Sequence, residues 1–167
     1  SIMMLVDKDR RVQKINGFAE KFTQRNAQEM IGLRGGEALR CLHHLDSPDG
    51  CGFGPYCEQC KVRNTVLKTF ETGKSHHMVE ATLPFSIDGK EKELTFFVST
   101  ALLDIRNKPM VLVSILDITE RKKAEKALRE SENYLRSIIK AVPVGIGTVS
   151  NRVLHTVNEK ICEMLGY

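Results

Sequence analysis

What this chain lacks excludes several functions. No apolar run approaches the length of a bilayer span, and no stretch has the layout of a signal peptide. The apolar run at residues 2–6 is too short for either and reads as a strand. There is no Gly-rich phosphate loop, no Walker pattern and no nucleophile with a base at a recognisable spacing, so no catalytic residues are predicted. Twenty-five basic and 21 acidic residues are mixed along the chain and leave a net charge of +4. That is too mild for the dense basic face of a nucleic-acid binder, and neither a nucleic-acid partner nor direct membrane contact is expected. The c-type haem signature C-x-x-C-H is absent, because Lys61 follows Cys60. With no secretory signal, five cysteines point to a reduced, cytoplasmic setting rather than a disulfide framework.

Four of those cysteines, Cys41, Cys51, Cys57 and Cys60, fall in one stretch with the spacing C-x9-C-x5-C-x2-C. In Cys57-Glu58-Gln59-Cys60, two intervening residues let both sulfurs reach one ion while backbone amides donate to thiolate. Gly50, Gly52 and Gly54 permit the backbone conformations of a tight wrap. Four thiolates suit tetrahedral zinc or an iron–sulfur cluster. Thiol–disulfide switching without any cofactor is the third reading. The matched pair of C-x2-C knuckles of a zinc ribbon is missing, so spacing does not choose the metal. Arg40, Lys61 and Arg63 flank the stretch and could offset thiolate charge. His43 or His44 could replace one cysteine, but adjacent side chains in a loop rarely both face one ion. His76 and His77 lack the segment that a phosphorylatable histidine needs. Cys162 is isolated and reads as a core residue.

Taken in order, residues 2–6 and 11–15 form a hairpin around Asp7–Arg10. Asn16 caps a helix over 17–24 that turns Phe18, Ala19 and Phe22 inward, and Asn26 with Glu29 starts a second helix over 27–31. Gly32, Gly35 and Gly36 break it. After Cys60, a helix places Val62, Val66, Leu67 and Phe70 on one face and stops at Gly73. Three strands follow, at 78–86, 92–101 and 110–116, with turns at Asp88-Gly89 and Asn107–Pro109. The last is apolar nearly throughout, as a strand covered on both sides would be. This is an α+β pattern with one antiparallel sheet.

The run strand–turn–strand–Asn16, short helices, helix and three strands, closed by Asp117-Ile118-Thr119-Glu120-Arg121-Lys122, resembles a PAS domain over about residues 2–119. The resemblance implies a five-stranded antiparallel sheet in the order 2-1-5-4-3 with helices on one face, followed by a long signalling helix. It implies a ligand wall where Phe22, Met30, Leu39, Val66, Leu67 and Phe70 lie, and a signal relay at Asp117, Ile118 and Thr119. Some PAS sensor kinases hold an iron–sulfur cluster through four cysteines, although with two C-x2-C pairs. The reactive-cysteine motif of flavin-binding PAS domains is not visible.

Residues 120–142 form a linker helix. Ala124, Leu128, Ser131, Leu135, Ile138 and Val142 follow an a/d rhythm, which predicts a parallel homodimer. Past Pro143, residues 144–149 and 153–157 lead to Asn158 and a helix at 159–165, repeating the pattern of residues 2–16. Residues 143–167 thus resemble the start of a second PAS domain. They cannot bury a core alone, and are expected to be mobile or to pack on another copy. The expected whole is the input region of a sensor histidine kinase, with a kinase or other output domain downstream. The alternative is a zinc-stapled PAS dimerisation module without sensing.

Overall fold

The computed structural model describes residues 1–87 and 89–166. They fall into two compact units, 1–119 and 120–167. In the first, β1 (Ile2–Val6) and β2 (Val12–Ile15) form the expected hairpin. Three short helices follow, α1 (Gly17–Thr23), α2 (Ala27–Met30) and α3 (Gly35–Ala38), and then the longer α4 (Lys61–Thr72). Strands β3 (His76–Ile87), β4 (Lys90–Ile105) and β5 (Lys108–Asp117) complete the unit. All pairings are antiparallel and the strand order is β2-β1-β5-β4-β3, the order that the PAS resemblance implies.

Strand alternation sets which face is inner. Met4, Val6, Ala81, Phe85, Phe96, Val98, Val111, Val113 and Ile115 are all buried on one face of the sheet, and the helices supply Ala19, Met30, Ala38 and Val66 to the same core. Phe22, Phe85 and Phe96 meet edge-on, with centroids 5.3–6.4 Å apart. Such geometry adds about 0.5–1.5 kcal/mol per pair beyond area burial.

Several sequence expectations need correction. Phe18 does not turn inward; it is 51% exposed. Gly35 and Gly36 do not simply interrupt structure but begin α3. On α4 the buried residues are Thr65, Val66 and Thr69. The threonines enter the core because their hydroxyls bond back to Lys61 O and Thr65 O one turn earlier. Thr69 Oγ1 also reaches Thr100 Oγ1 at 2.7 Å. Strand β5 is central but not covered on both sides, since Leu116 is 50% exposed. The turn before it is Arg106-Asn107, both at positive φ, and Pro109 already lies in the strand opposite Asp104. The turn expected at Asp88-Gly89 rests partly on Asp88, outside the described residues.

Asn16 ties the hairpin to α1. Its Oδ1 accepts from Met3 N at 3.1 Å and from Ala19 N at 3.4 Å, and its Nδ2 donates to Ser1 O. In the second unit, β6 (Gly147–Ser150), β7 (Val153–Val157) and α6 (Glu159–Leu165) follow α5 (Thr119–Ala141). Asn158 Oδ1 there accepts from Ile146 N and Ile161 N, and its Nδ2 donates to Val144 O. The two asparagines make the same clamp. Both β6 and β7 are exposed throughout, Cys162 on α6 is half-buried rather than core, and Tyr167 lies outside the described residues.

Asn16→Ala removes a helix cap and two further bonds. The expected loss is about 1–2 kcal/mol of unfolding free energy, measured by urea denaturation against a surface control, Lys21→Ala. An unchanged midpoint would show that the clamp is dispensable.

Candidate functional site

The cysteine stretch is held by backbone and by one carboxylate. Gly36 O accepts from Cys41 N at 2.8 Å, and Arg40 O accepts from Ser86 N, so the stretch begins docked along β3, with Cys41 bridged to Phe85. A 3₁₀ turn at Leu42–His44 follows. Glu37, in the first turn of α3, then spans the loop: Oε2 accepts from Arg34 N at 3.1 Å and Oε1 from Cys51 N at 3.0 Å. A Cβ on Gly50 would stand 2.0 Å from Glu37 Oε1, and Gly50 is at φ 79°, so only glycine fits there. Cys57 N donates to Gly54 O and Cys60 N to Cys57 O, and Cys60 caps the N-terminus of α4.

These constraints bring all four cysteines to the wall of one cavity of about 90 Å3. The sheet's Met4, Phe85, Phe96 and Ile115 line its other side. Cys41 and Cys57 are buried, and Cys51 and Cys60 half-buried. Three sulfurs receive backbone hydrogen bonds, Cys57 Sγ from Gly52 N at 3.3 Å, Cys51 from Gly36 and Cys41 from His43. The approach of Gly36 is close enough that a Cβ there would meet Cys51 Sγ at 2.6 Å. Burial pushes the Cys41 thiol up to about 12, and it raises Cys51 as well, with the neighbouring thiols adding to both. Among the described residues, no group of three or more His, Cys, Asp and Glu side chains stands as a formed metal site.

Arg10, Arg34 and Arg63 line the same cavity. Arg63 was expected from the sequence; Arg40 and Lys61 are not on the wall, and Arg10 and Arg34 were not foreseen. Arg34 lies 4.6 Å over the Phe53 ring and donates to Asp49 O at 3.0 Å. Arg34 Nε, Arg63 Nε and His44 Nδ1 are buried without a hydrogen-bond partner. His43 Nδ1 is 2.8 Å from Asp46 Oδ2, and its ring stacks on Tyr56 at 4.6 Å. Both histidines line the cavity. The pairing of His43 with a carboxylate is one that orients metal-bound imidazoles elsewhere.

Four sulfurs, backbone N–H groups beside them, a glycine cradle and guanidinium groups are the donor chemistry that an anionic tetrathiolate centre would use, although the described side chains are not placed as a metal-holding group. Of the expected ligand wall, Phe22, Leu39 and Val66 line the cavity. Met30 is fully buried elsewhere in the core, and Leu67 and Phe70 are not on the cavity wall. Asp117, Ile118 and Thr119 form a lock at the end of β5. Ile118 N donates to Thr95 O at 2.9 Å, Thr119 Oγ1 accepts from Thr95 N at 2.9 Å, and Asp117 Oδ1 accepts from Thr119 N. His76 at the start of β3 is 3.0 Å from Thr69 Oγ1, away from the cysteines. No spacing rule would have found Glu37 or Arg10. Arg34-x2-Glu37 has only the acidic half of a capping box.

A thiol whose folded value lies above its unfolded one keeps its proton in the fold after the open chain has lost it. Stability of the reduced, metal-free chain therefore falls as pH rises from about 9 toward about 12, and is unaffected by these thiols below that window. Denaturation midpoints across the range should decline less in Cys41→Ala. An identical decline would mean that Cys41 is not held neutral.

No family model matches the chain, and no curated protein matches it. Similar solved structures include the PAS domain of nitrogen regulation protein NR(II) from Vibrio parahaemolyticus, 15% identical over 70% of this chain and 88% of that one, with a TM-score of 0.48. The PAS domain of an HTR-like protein from Haloarcula marismortui is 14% identical over 70% and 85%, with a TM-score of 0.46. The Cronobacter turicensis RpfR quorum-sensing receptor PAS domain, in complex with C12:0, is 20% identical over 71% and 94%, with a TM-score of 0.43.

Proposed function

We propose that residues 1–119 are a PAS-type regulatory sensor domain whose input is a metal centre held by Cys41, Cys51, Cys57 and Cys60. The convergence of four thiols and three guanidinium groups on a cavity that reaches the inner face of the sheet carries this reading. Bound there, an iron–sulfur cluster would supply a redox- or gas-responsive centre, and zinc a cross-link. The protein's own part is to hold the sulfurs on three separate segments, to donate backbone hydrogen bonds to them and to offset their charge. Burial of the thiols disfavours a free thiol–disulfide switch, because the attacking species is the thiolate. The relay runs from β5 through the lock at Thr95 into α5. The full protein is read as a cytoplasmic sensor histidine kinase of a phosphorelay, with the output domain downstream.

Residues 143–167 are read as the start of a second PAS domain, supported by the second asparagine clamp. Homodimerisation through residues 120–142 is part of the same reading. Leu128, Leu135 and Ile138 are 63%, 56% and 41% exposed on α5, while Val142, the last a/d position, lies just past its end and is half-buried. A zinc staple remains the second reading. It is favoured by the closed set of four protein ligands, which leaves no coordination position for chemistry.

Two measurements test these readings. The chain purified without oxygen should contain iron and acid-labile sulfide and absorb in the visible; stoichiometric zinc instead supports the staple, and no metal overturns both. Cys57→Ser should lower occupancy at least tenfold, and full occupancy in that variant would remove the four-cysteine site. For the helix, Leu128→Glu with Leu135→Glu should convert a dimer into a monomer by sedimentation equilibrium, whereas a monomeric wild type refutes the coiled coil.

A further inference from the structure

The β1–β2 turn belongs to the cysteine cavity as well as to the sheet. We propose that Arg10 reads the charge of the cysteine centre and tightens this turn while that charge is present. The inference rests on the reading of the four cysteines as a metal centre.

The turn is tightly made. Asp7 Oδ1 accepts from Asp9 N and Arg11 N, Asp7 Oδ2 from Gln13 Nε2, and Asp7 O from Arg10 N. At its corner Arg10 is at φ 62°, a conformation that costs an L residue energy and that glycine or asparagine would adopt more readily. What distinguishes arginine there is reach. Its guanidinium lies against the cysteine loop, where a Cβ on Gly52 would fall 2.4 Å from Nη1. Burial, and next the neighbouring Arg63 of α4 with Arg34 from the segment before α3, lower the pKa of the Arg10 guanidinium, while negative charge on Cys51 or Cys57 would act against them. Among the described residues no ion pair joins any of the three arginines to a carboxylate. Arg34 is met by the backbone oxygen of Asp49, and Arg63 by the amide oxygen of Asn64.

Arg10 therefore sits in a field whose sign depends on the sulfurs. Four thiolates on a divalent ion carry two negative charges, and these attract the guanidinium groups, which otherwise repel one another. With neutral thiols that attraction is lost, and the repulsion and the backbone strain work against the Asp7 hydrogen bonds and loosen the turn. The turn is continuous with β1, whose Val6 pairs with Val111 of β5. β5 in turn ends at the Asp117–Thr119 lock. A change of charge at the cysteines thus has a strand-borne route to the relay.

Amide hydrogen exchange at residues 7–12 tests this in the full chain, with zinc, iron and sulfide assayed on the same samples. The wild type should exchange at least tenfold faster at the turn after anaerobic chelation, while the amides of Phe96 and Val98 in β4 stay slow. Arg10→Leu should show the fast rate in both states, and Arg10→Lys, which keeps the charge, should retain much of the response. A metal-bearing wild type whose turn does not respond overturns the role of Arg10 alone, as does a response that survives in Arg10→Leu. Loss of protection throughout β4 would make the centre a staple for the whole unit and overturn the local reading. A wild type without metal overturns this inference together with the metal centre itself.

Discussion

The pairing of the first strand with the last organises everything else. Five consecutive residue pairs, from Ile2 opposite Ile115 to Val6 opposite Val111, join β1 to β5. That contact closes nearly the whole first unit into a ring. Closing so long a loop costs only slightly more than closing a short one, since the penalty grows with the logarithm of length. It does demand that non-local contacts form early, and sheets of this kind fold slowly for that reason. Once it is made, the β1–β2 turn and the β5 terminus are fixed at opposite ends of adjacent strands. The helices then have one apolar face to cover.

Most of the architecture was legible because it rests on local rules. Alternation found β3 and β4, Asn16 and Asn26 announced two helix starts, and Gly73 ended α4 as a left-handed cap. The failures share a cause. Phe18 fits a helical stripe, yet on a helix of two turns a small rotation decides which aromatic is covered, and Phe22 takes the place beside Phe85. Thr65 and Thr69 were overlooked because hydropathy counts a hydroxyl as polar even when the turn before it supplies an acceptor. Pro109 signalled a turn but lies in the strand one residue beyond it.

The cysteine site was legible in its donors and not in its supports. Thiol spacing is a local property and can be counted. The supports come from afar: Glu37 holds Cys51 across fourteen residues, and Arg10 arrives from a hairpin turn on another element. Their residue types are ordinary and their positions follow no motif. Only the tertiary fold makes a carboxylate into a loop brace, or a surface-looking arginine into a wall of the cavity. The same gap explains Arg40 and Lys61, which flank cysteines in sequence without lining the cavity.

The duplicated asparagine clamp separates two tasks of a strand–Asn–helix corner. In both units the corner is fixed by the same short-range hydrogen bonds. The strands beside it differ in content: β1 is buried at four of its five positions, while β6 is four residues long and contributes Gly147, Thr148 and Ser150 beside a single valine. The direction in which the chain leaves the hairpin is thus set by one polar side chain, and the apolar surface that the hairpin covers is set independently of it.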